Sequence, residues 1–386
     1  MHCLVCGADV ETVFFGRTPV AGYVVDTVQE SLSQPVFDLN MTFCPACSFA
    51  RYVQVTEANA LMDALYRKQM STYSLTAANL DYVRRFAQRA IDSYGVGKDS
   101  LVMEIGCNDG AMLMEFQRQS GCRIVGVEPS TCFADVWRQR GIPVINALFS
   151  RRALEEAEVG QPDIIVLRHV LEHVFSLREF MSDLAERIVG GARLIVEFPY
   201  LKTVIDKGRI DNISYPHVNY FTIRSFSKLI APFGLRIDEL RLVETDGGSI
   251  VFAVSRGPAE ADSQVADSLK LEDLLRLKQV IRERAARMEE LLSPYREGEV
   301  IGYGAGAKGQ HLFHLLGLGR YIHVMVDDMP AYQGRFMPAT DVPIRKPSEV
   351  LATGRVKAVV NLATTHGEAV RSKLPADMTF IDVLYS

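Results

Sequence analysis

The segment Leu101-Val-Met-Glu-Ile-Gly-Cys-Asn-Asp-Gly110 constrains this chain more than any other. A short apolar run closes beside an acid, a glycine-bounded turn follows, and Ala111-Met-Leu-Met opens a helix. An open α/β sheet presents its ligand crevice in this way, at the carboxyl end of a strand. About twenty residues on, Arg123-Ile-Val-Gly-Val-Glu128 repeats the pattern and again ends in an acid, placed to accept from both hydroxyls of a ribose. That spacing suits either a nicotinamide dinucleotide or S-adenosylmethionine, and the turn separates them. A dinucleotide site uses GxGxxG so that the backbone can approach a pyrophosphate. Here the turn carries acids on both sides, which repel phosphate and suit a cationic sulfonium and an amino group. The expected cofactor is S-adenosylmethionine, held by Glu104, Gly106, Cys107, Asn108, Asp109, Gly110, Glu128 and Pro129. Tyr73, in the polar approach Tyr66–Thr76, is expected to join them.

Strand and helix patterns alternate from Leu101 to about Val254, after an amphipathic helix over Ala77–Ser93. The expected strands are Val102–Ile105, Ile124–Val127, Ile142–Ile145, Ile164–Leu167, Arg193–Phe198 and Ser249–Val254. Such alternation predicts a mostly parallel sheet covered on both faces. A charged helix is expected over 262–292, as a bridge. After it Val300-Ile-Gly-Tyr-Gly-Ala-Gly-Ala-Lys-Gly309 starts a second α/β unit, whose next strand ends in Asp327 and Asp328. The remaining length is short for a complete dinucleotide-binding sheet. A half-Rossmann unit is expected, with Tyr303, Gly304 and Lys308 holding a substrate phosphate at a helix N-terminus. Nicotinamide dinucleotide binding, or a turn with no ligand, are the alternatives there.

Four of the seven cysteines form two pairs, Cys3-x-x-Cys6 and Cys44-x-x-Cys47. In a reducing compartment paired knuckles read as a tetrahedral zinc site of four thiolates. All four positions are filled by protein, so the expected metal is structural. Two disulfides are the alternative. The fold class is therefore α/β with a zinc-binding module at 1–70. A Rossmann-like class I methyltransferase domain follows at 71–256, a bridging helix at 257–296, and a smaller Rossmann-like substrate-binding unit at 297–386. A length of 386 residues accommodates two or three domains.

The strand at 164–167 runs into Arg168-His-Val-Leu-Glu-His-Val174, which sets Arg168, His169, Glu172 and His173 beside the crevice. His169 and His173, four apart, fall on one side of a helical turn. Arg168 and His169 are expected to contact cofactor. The strand at 193–198 leads through Tyr200 into Ser214-Tyr-Pro-His-Val-Asn-Tyr-Phe221, a wall or lid for substrate. His217 is the best general base in the chain, because imidazole titrates near neutrality. A packed, satisfied histidine is its alternative. Tyr215, Tyr220 or His173 would hold a developing oxyanion. Gly247 and Gly248 permit a close backbone approach, expected at the substrate.

A net charge of −5 argues against broad nucleic-acid or anionic-membrane binding. No apolar run reaches the length of a membrane span, and the N-terminus lacks a signal-peptide pattern. A cytoplasmic location and a monomer or weak homodimer are expected.

Taken in order, the cysteine pairs, EIGCNDG, LEHV, HVNYF, GGS and GYGAGAKG resemble the nucleotide-sugar C-methyltransferases of antibiotic deoxysugar pathways, over essentially the whole chain. The resemblance implies a zinc-binding N-terminal domain, a central S-adenosylmethionine domain and a C-terminal α/β domain. It implies methylation of a 4-keto-deoxysugar beside its ketone, on a nucleoside diphosphate. It places the family's active-site histidines on His217 and His173. Two departures stand out. His169 replaces an Asn, and Ser214 and Pro216 replace a Tyr and a Glu, so the glutamate that would orient the base histidine is missing.

Overall fold

The structure, a computed structural model, describes residues 1–67, 77–258 and 267–386, so Tyr73 lies outside the described residues. Seven strands form the central sheet. Their order is Leu235–Val243, Ser249–Arg256, Arg193–Pro199, Ile164–Arg168, Leu101–Ile105, Arg123–Val127, Val144–Ile145. Ser249–Arg256 runs against both neighbours and the other strands run parallel to one another. Successive side chains of a strand point to opposite faces, and the sequence supplies apolar residues at both parities. Val102, Ile124, Val166 and Ile195 pack with Phe86, Phe116 and Trp137 from the helices Ala77–Tyr94, Ala111–Ser120 and Ala134–Arg140. Met103, Ile105, Leu167 and Val196 pack with Leu154, Met181 and Phe226 from the helices Arg151–Glu156, Leu177–Ala185 and Ile223–Ile230. Each large side chain so buried contributes about 1.5–3 kcal/mol. The strand ends that carry the site are thus fixed from both faces.

Two details differ from expectation. The strand expected over Ile142–Ile145 shrinks to Val144–Ile145. The strand Leu235–Val243 has no counterpart among the expected ones. It is an edge strand whose Leu240 and Leu242 stay exposed, and charges interrupt its alternation at Asp238-Glu239. A bulge between Ile237 and Glu239 shifts its register.

A four-stranded antiparallel sheet is built from Glu11–Pro19, Val36–Cys44, Phe49–Tyr52 and Asn219–Tyr220. The first three strands belong to the N-terminal piece. The fourth comes from the loop that carries His217, with Tyr220 opposite Ala50 and Asn219 opposite Arg51. A third sheet is wholly parallel, in the order Ile344–Arg345, Met325–Val326, Val300–Tyr303, Ala358–Asn361, Thr379–Asp382. Its five strands exceed the half unit expected from length, because two of them are only two residues long.

The long helix spans Leu271–Leu292. Residues 267–270, expected within it, are not helical, and 262–266 lie outside the described residues. Its apolar stripe is packed along its length. Leu274, Leu277, Ile281, Met288 and Leu292 enter a core shared with Leu39, Met41 and Phe43 of the antiparallel sheet and Leu312 and Met325 of the third unit. Among the described residues no helix is long and apolar enough to cross a membrane.

Candidate active site

In the central sheet the strand order reverses at Leu101–Ile105, the position where open α/β sheets bind ligands. The turn there is held by packing that leaves no room for side chains. A Cβ on Gly106 would sit 2.4 Å from Val170 Cγ2, and one on Gly110 2.3 Å from Ile142 Cδ1. Both glycines have positive φ, as does Asn108 (49°). Asn108 tolerates this because Glu128 grips it: Glu128 Oε2 accepts from the Asn108 N–H (2.9 Å) and Oε1 from the Ser130 N–H (2.9 Å). Pro129 lies between these contacts, half-buried. Trp137 donates to the Asn108 carbonyl (2.7 Å), and Asp109 Oδ1 accepts from the Ala111 N–H (3.2 Å) at the start of the helix. The Cys107 thiol is buried beneath Gly126, so that residue offers the crevice only its backbone.

Glu104 is 4% exposed and its Oε2 has no protein partner. Burial pushes its pKa up to about 8; Arg168 opposes this, while Asp109 and Glu128 add to it. A buried carboxyl facing two further acids is stabilised by an incoming cation.

The loop after Ile164–Arg168 abuts this turn through Val170, the residue that presses on Gly106. Arg168 pairs with Glu197 at 2.7 Å and lies over Tyr82 and Phe86. His169, at φ 51°, reaches Glu172 Oε1 (3.1 Å) and Glu197 Oε1 (3.4 Å). Burial opposes charge on His169, but the two carboxylates outweigh it and raise its pKa well above the ordinary range. Arg168 and His169, expected on the cofactor, are therefore tied to Glu197.

His173 and His217 meet, with ring centroids 5.0 Å apart. Their approach follows from the borrowed strand. Pairing of Asn219 and Tyr220 with the N-terminal sheet fixes the loop, and Asn219 Nδ2 donates to Leu171 O (3.0 Å) and Val174 O (2.7 Å). His173 Nδ1 lies 2.5 Å from Pro216 O, a carbonyl that only accepts, so this nitrogen carries the proton. The Tyr66 hydroxyl sits on the same pair, 2.9 Å from Nδ1 and 3.2 Å from Pro216 O. His217 Nδ1 and Glu172 Oε2 are buried without protein partners. Glu172, His173 and His217 bring one ligand atom each within 4.8 Å of one another. Burial, then His173, pulls the His217 pKa down to about 4, so His217 is a neutral base at pH 7.

The two tyrosines flanking His217 do not join it. Tyr215 donates to Asp38 O (3.1 Å) and stacks on Tyr52 in the N-terminal core. Tyr220 donates to Asn212 O (3.1 Å) and accepts from Ser214 N (3.2 Å). Their hydroxyls are spent on backbone because the strand pairing turns both into the core. Tyr66 takes the place beside the histidines, and only its position just ahead of the methyltransferase segment hinted at this. Tyr200 is likewise buried, donating to Asp267 (3.3 Å), which also accepts from the N-terminus of the helix Ile223–Ile230.

At the third sheet the strand order again reverses beside a glycine turn. A Cβ on Gly304 would meet Ala363 N at 2.7 Å, so strand packing requires this glycine. Tyr303 donates to Asp328 (2.9 Å). Lys308 pairs with Asp246 and lies 3.4 Å from Asp211. Asp211 is also held by Arg209 (2.6 Å) and Thr364 (2.8 Å). Gly247 and Gly248 make room for this network: their absent Cβ atoms would collide with the Arg209 guanidinium and Thr203. The close approach expected at these glycines comes from protein.

Gly7 and Ser48, each four residues after the first cysteine of its pair, close matching turns onto Cys3 O (2.9 Å) and Cys44 O (2.7 Å) with positive φ. Cys3 and Cys47 sulfurs stand 3.6 Å apart, Cys6 and Cys44 sulfurs 3.5 Å, and all four lie within 4.8 Å of one another. A disulfide needs about 2.05 Å, so these are free thiols. A tetrahedral ion with metal–sulfur bonds of about 2.3 Å sets its sulfurs about 3.8 Å apart. The set fits such an ion.

A doubly covered sheet with an acid-flanked turn at its reversal point defines an S-adenosylmethionine-dependent methyltransferase. Residues 74–240 match the family described as methyltransferase domain, and residues 244–376 the one described as C-methyltransferase C-terminal domain. The chain is 30% identical to C-methyltransferase NovU of Streptomyces niveus, over 92% of this chain and 87% of that protein. The chain belongs to this family of S-adenosylmethionine-dependent C-methyltransferases. Solved structures similar to it include the magnesium protoporphyrin IX methyltransferase of Synechocystis with bound SAH, at 16% identity, 48% of this chain, 90% of that chain and a TM-score of 0.36. Mitomycin 7-O-methyltransferase is another, at 16% identity, 52% of this chain, 58% of that chain and a TM-score of 0.37.

Proposed function

We propose that the enzyme methylates the carbon next to a ketone on a nucleotide-linked deoxysugar, with His217 as the general base. The observation that carries this reading is the meeting of His217 and Tyr66 with His173, three residues after Val170, which packs on Gly106 of the cofactor turn. Carbon methylation needs a base for the α-proton and a donor for the enolate oxygen. His217 is neutral at pH 7 and takes the proton. With Tyr215 and Tyr220 committed to backbone, the Tyr66 hydroxyl is, among the described residues, the tyrosine hydroxyl on the histidine pair that faces the oxygen, by rotating its proton from Pro216 O. Glu104, Glu128 and the Gly106–Gly110 turn bind S-adenosylmethionine, which supplies the electrophilic methyl. A nucleoside diphosphate lies toward the third sheet, where Lys308 and Arg209 are the cations beside the glycine turns. The four cysteines hold a structural Zn²⁺, which braces the sheet that the His217 loop completes.

The test is α-proton exchange in D₂O, with a 4-keto nucleotide sugar and S-adenosylhomocysteine present. The wild type washes deuterium into the α-carbon. His217→Ala lowers that rate on the order of 10²–10⁴-fold, with cofactor affinity unchanged. Undiminished exchange in His217→Ala removes the base assignment.

A further inference from the structure

Position 216, directly before His217, holds a proline where the resemblance leads one to expect a glutamate. The fold brings a different carboxylate to the same histidine. We propose that Glu172 is the positioning residue of the base: its Oε2 accepts the His217 Nδ1 proton, directly or through one water, and so leaves the lone pair on Nε2. The inference rests on His217 being the base.

The geometry is complementary. Glu172 is 2% exposed, and its Oε2 is buried with no protein partner. His217 Nδ1 is buried and partnerless as well. One oxygen of the first and one ring nitrogen of the second lie within 4.8 Å. A buried carboxylate oxygen without a donor is costly, and so is a buried imidazole N–H without an acceptor. Each group supplies what the other lacks.

Glu172 is also fixed in place. Its Oε1 is held by His169 Nδ1 at 3.1 Å, and His169 Nε2 faces Glu197, which Arg168 holds at 2.7 Å. A relay therefore runs Arg168–Glu197–His169–Glu172 and ends at the base. His169, which stands where the resemblance implies an asparagine, is a member of this relay. His173 is the weaker candidate: with its Nδ1 proton on Pro216 O it carries no negative charge to stabilise the imidazolium of the base. A carboxylate on one ring nitrogen selects the tautomer whose other nitrogen is basic, and it stabilises the imidazolium that forms.

Glu172→Gln tests this. The glutamine oxygen still accepts from His169, and the volume is kept. Its NH₂, turned to His217, can only donate, so Nδ1 becomes the acceptor and the proton moves to Nε2. The expected result is a fall in kcat and in α-proton exchange on the order of 10²-fold or more, with KM for S-adenosylmethionine and the melting temperature near wild type. Glu172→Asp recovers part of the exchange, since it restores the acceptor. The charged and titratable groups around His217 are Glu172 and His173 from the turn at 171–173, Asp246 from the loop before Ser249, Lys308 and His311 from the helix Ala307–Leu315, and Tyr220 from its own loop. Losing the Glu172 charge moves the acid limb of the residual activity to lower pH. If His217→Ala abolishes exchange while Glu172→Gln exchanges at the wild-type rate with an unmoved acid limb, the positioning role is wrong and the base assignment stands. If His217→Ala still exchanges, the base assignment fails first.

Discussion

Binding of S-adenosylmethionine should expel a proton from Glu104. In the free pocket the Glu104 pKa stands at about 8, raised by burial and by the nearby Asp109 and Glu128. At pH 7 a group one unit below its pKa is about nine-tenths protonated. A cation placed at its partnerless Oε2 reverses the balance and brings the pKa below 7. The complex then releases up to about 0.9 proton per site. The sign follows: cofactor affinity rises with pH between the bound-state and free-state pKa values, by at most about tenfold per pH unit, and levels off above about 8. The assay is calorimetric titration at pH 7 in buffers of different ionisation enthalpy, where the apparent heat varies with buffer in proportion to protons released. Glu104→Gln, which keeps the shape without the titration, should give the same heat in every buffer. Wild-type heats that agree across buffers would refute the claim that Glu104 faces the cationic part of the cofactor.

Other outcomes follow from single residues. His311 is fully buried, and burial pulls its pKa from 6.5 down to about 3. The unfolded chain takes up this proton first, so stability is intact above pH 6.5 and falls toward pH 3. Between pH 7 and 5 the loss is about 2 kcal/mol from this residue, and urea denaturation of His311→Leu should show a correspondingly flatter acid profile. Tyr66→Phe should lower kcat on the order of tenfold or more by removing an oxyanion donor, whereas Tyr220→Phe should cost about 0.5–1.5 kcal/mol of stability and leave kcat unchanged. Cys44→Ser should release the metal, read with a zinc-sensitive dye. It should abolish activity by loosening the sheet that anchors Asn219–Tyr220 and hence His217.

Much of the fold is legible in the sequence because its signals are local. The turn Glu104–Gly110 announces itself through glycines that no larger residue can replace, and the cysteine pairs through a spacing that closes one turn each. What the sequence hides is non-local. Tyr215 and Tyr220 sit next to His217 along the chain. Pairing of Tyr220 with Ala50 turns them into the N-terminal core, and no local pattern reveals that partner. Lys308 reads as a phosphate ligand from its glycine turn, but Asp246 and Asp211, which hold it from far away in sequence, are not legible there. The edge strand Leu235–Val243 escapes because one of its faces meets water, so charges break the apolar alternation. The helix at 271–292 shows its apolar stripe in the sequence, but not the two pieces at opposite ends of the chain that bury it.

The identity of the methylated atom tests the account most directly. The purified, zinc-replete enzyme is incubated with S-adenosylmethionine carrying ¹³C in its methyl group and with a panel of 4-keto nucleotide sugars. Carbon–carbon coupling in the product NMR spectrum then locates the label. A methyl bonded to the ring carbon beside the ketone is the predicted result. A label bonded to oxygen or nitrogen, or no transfer to any keto sugar of the panel, would contradict it.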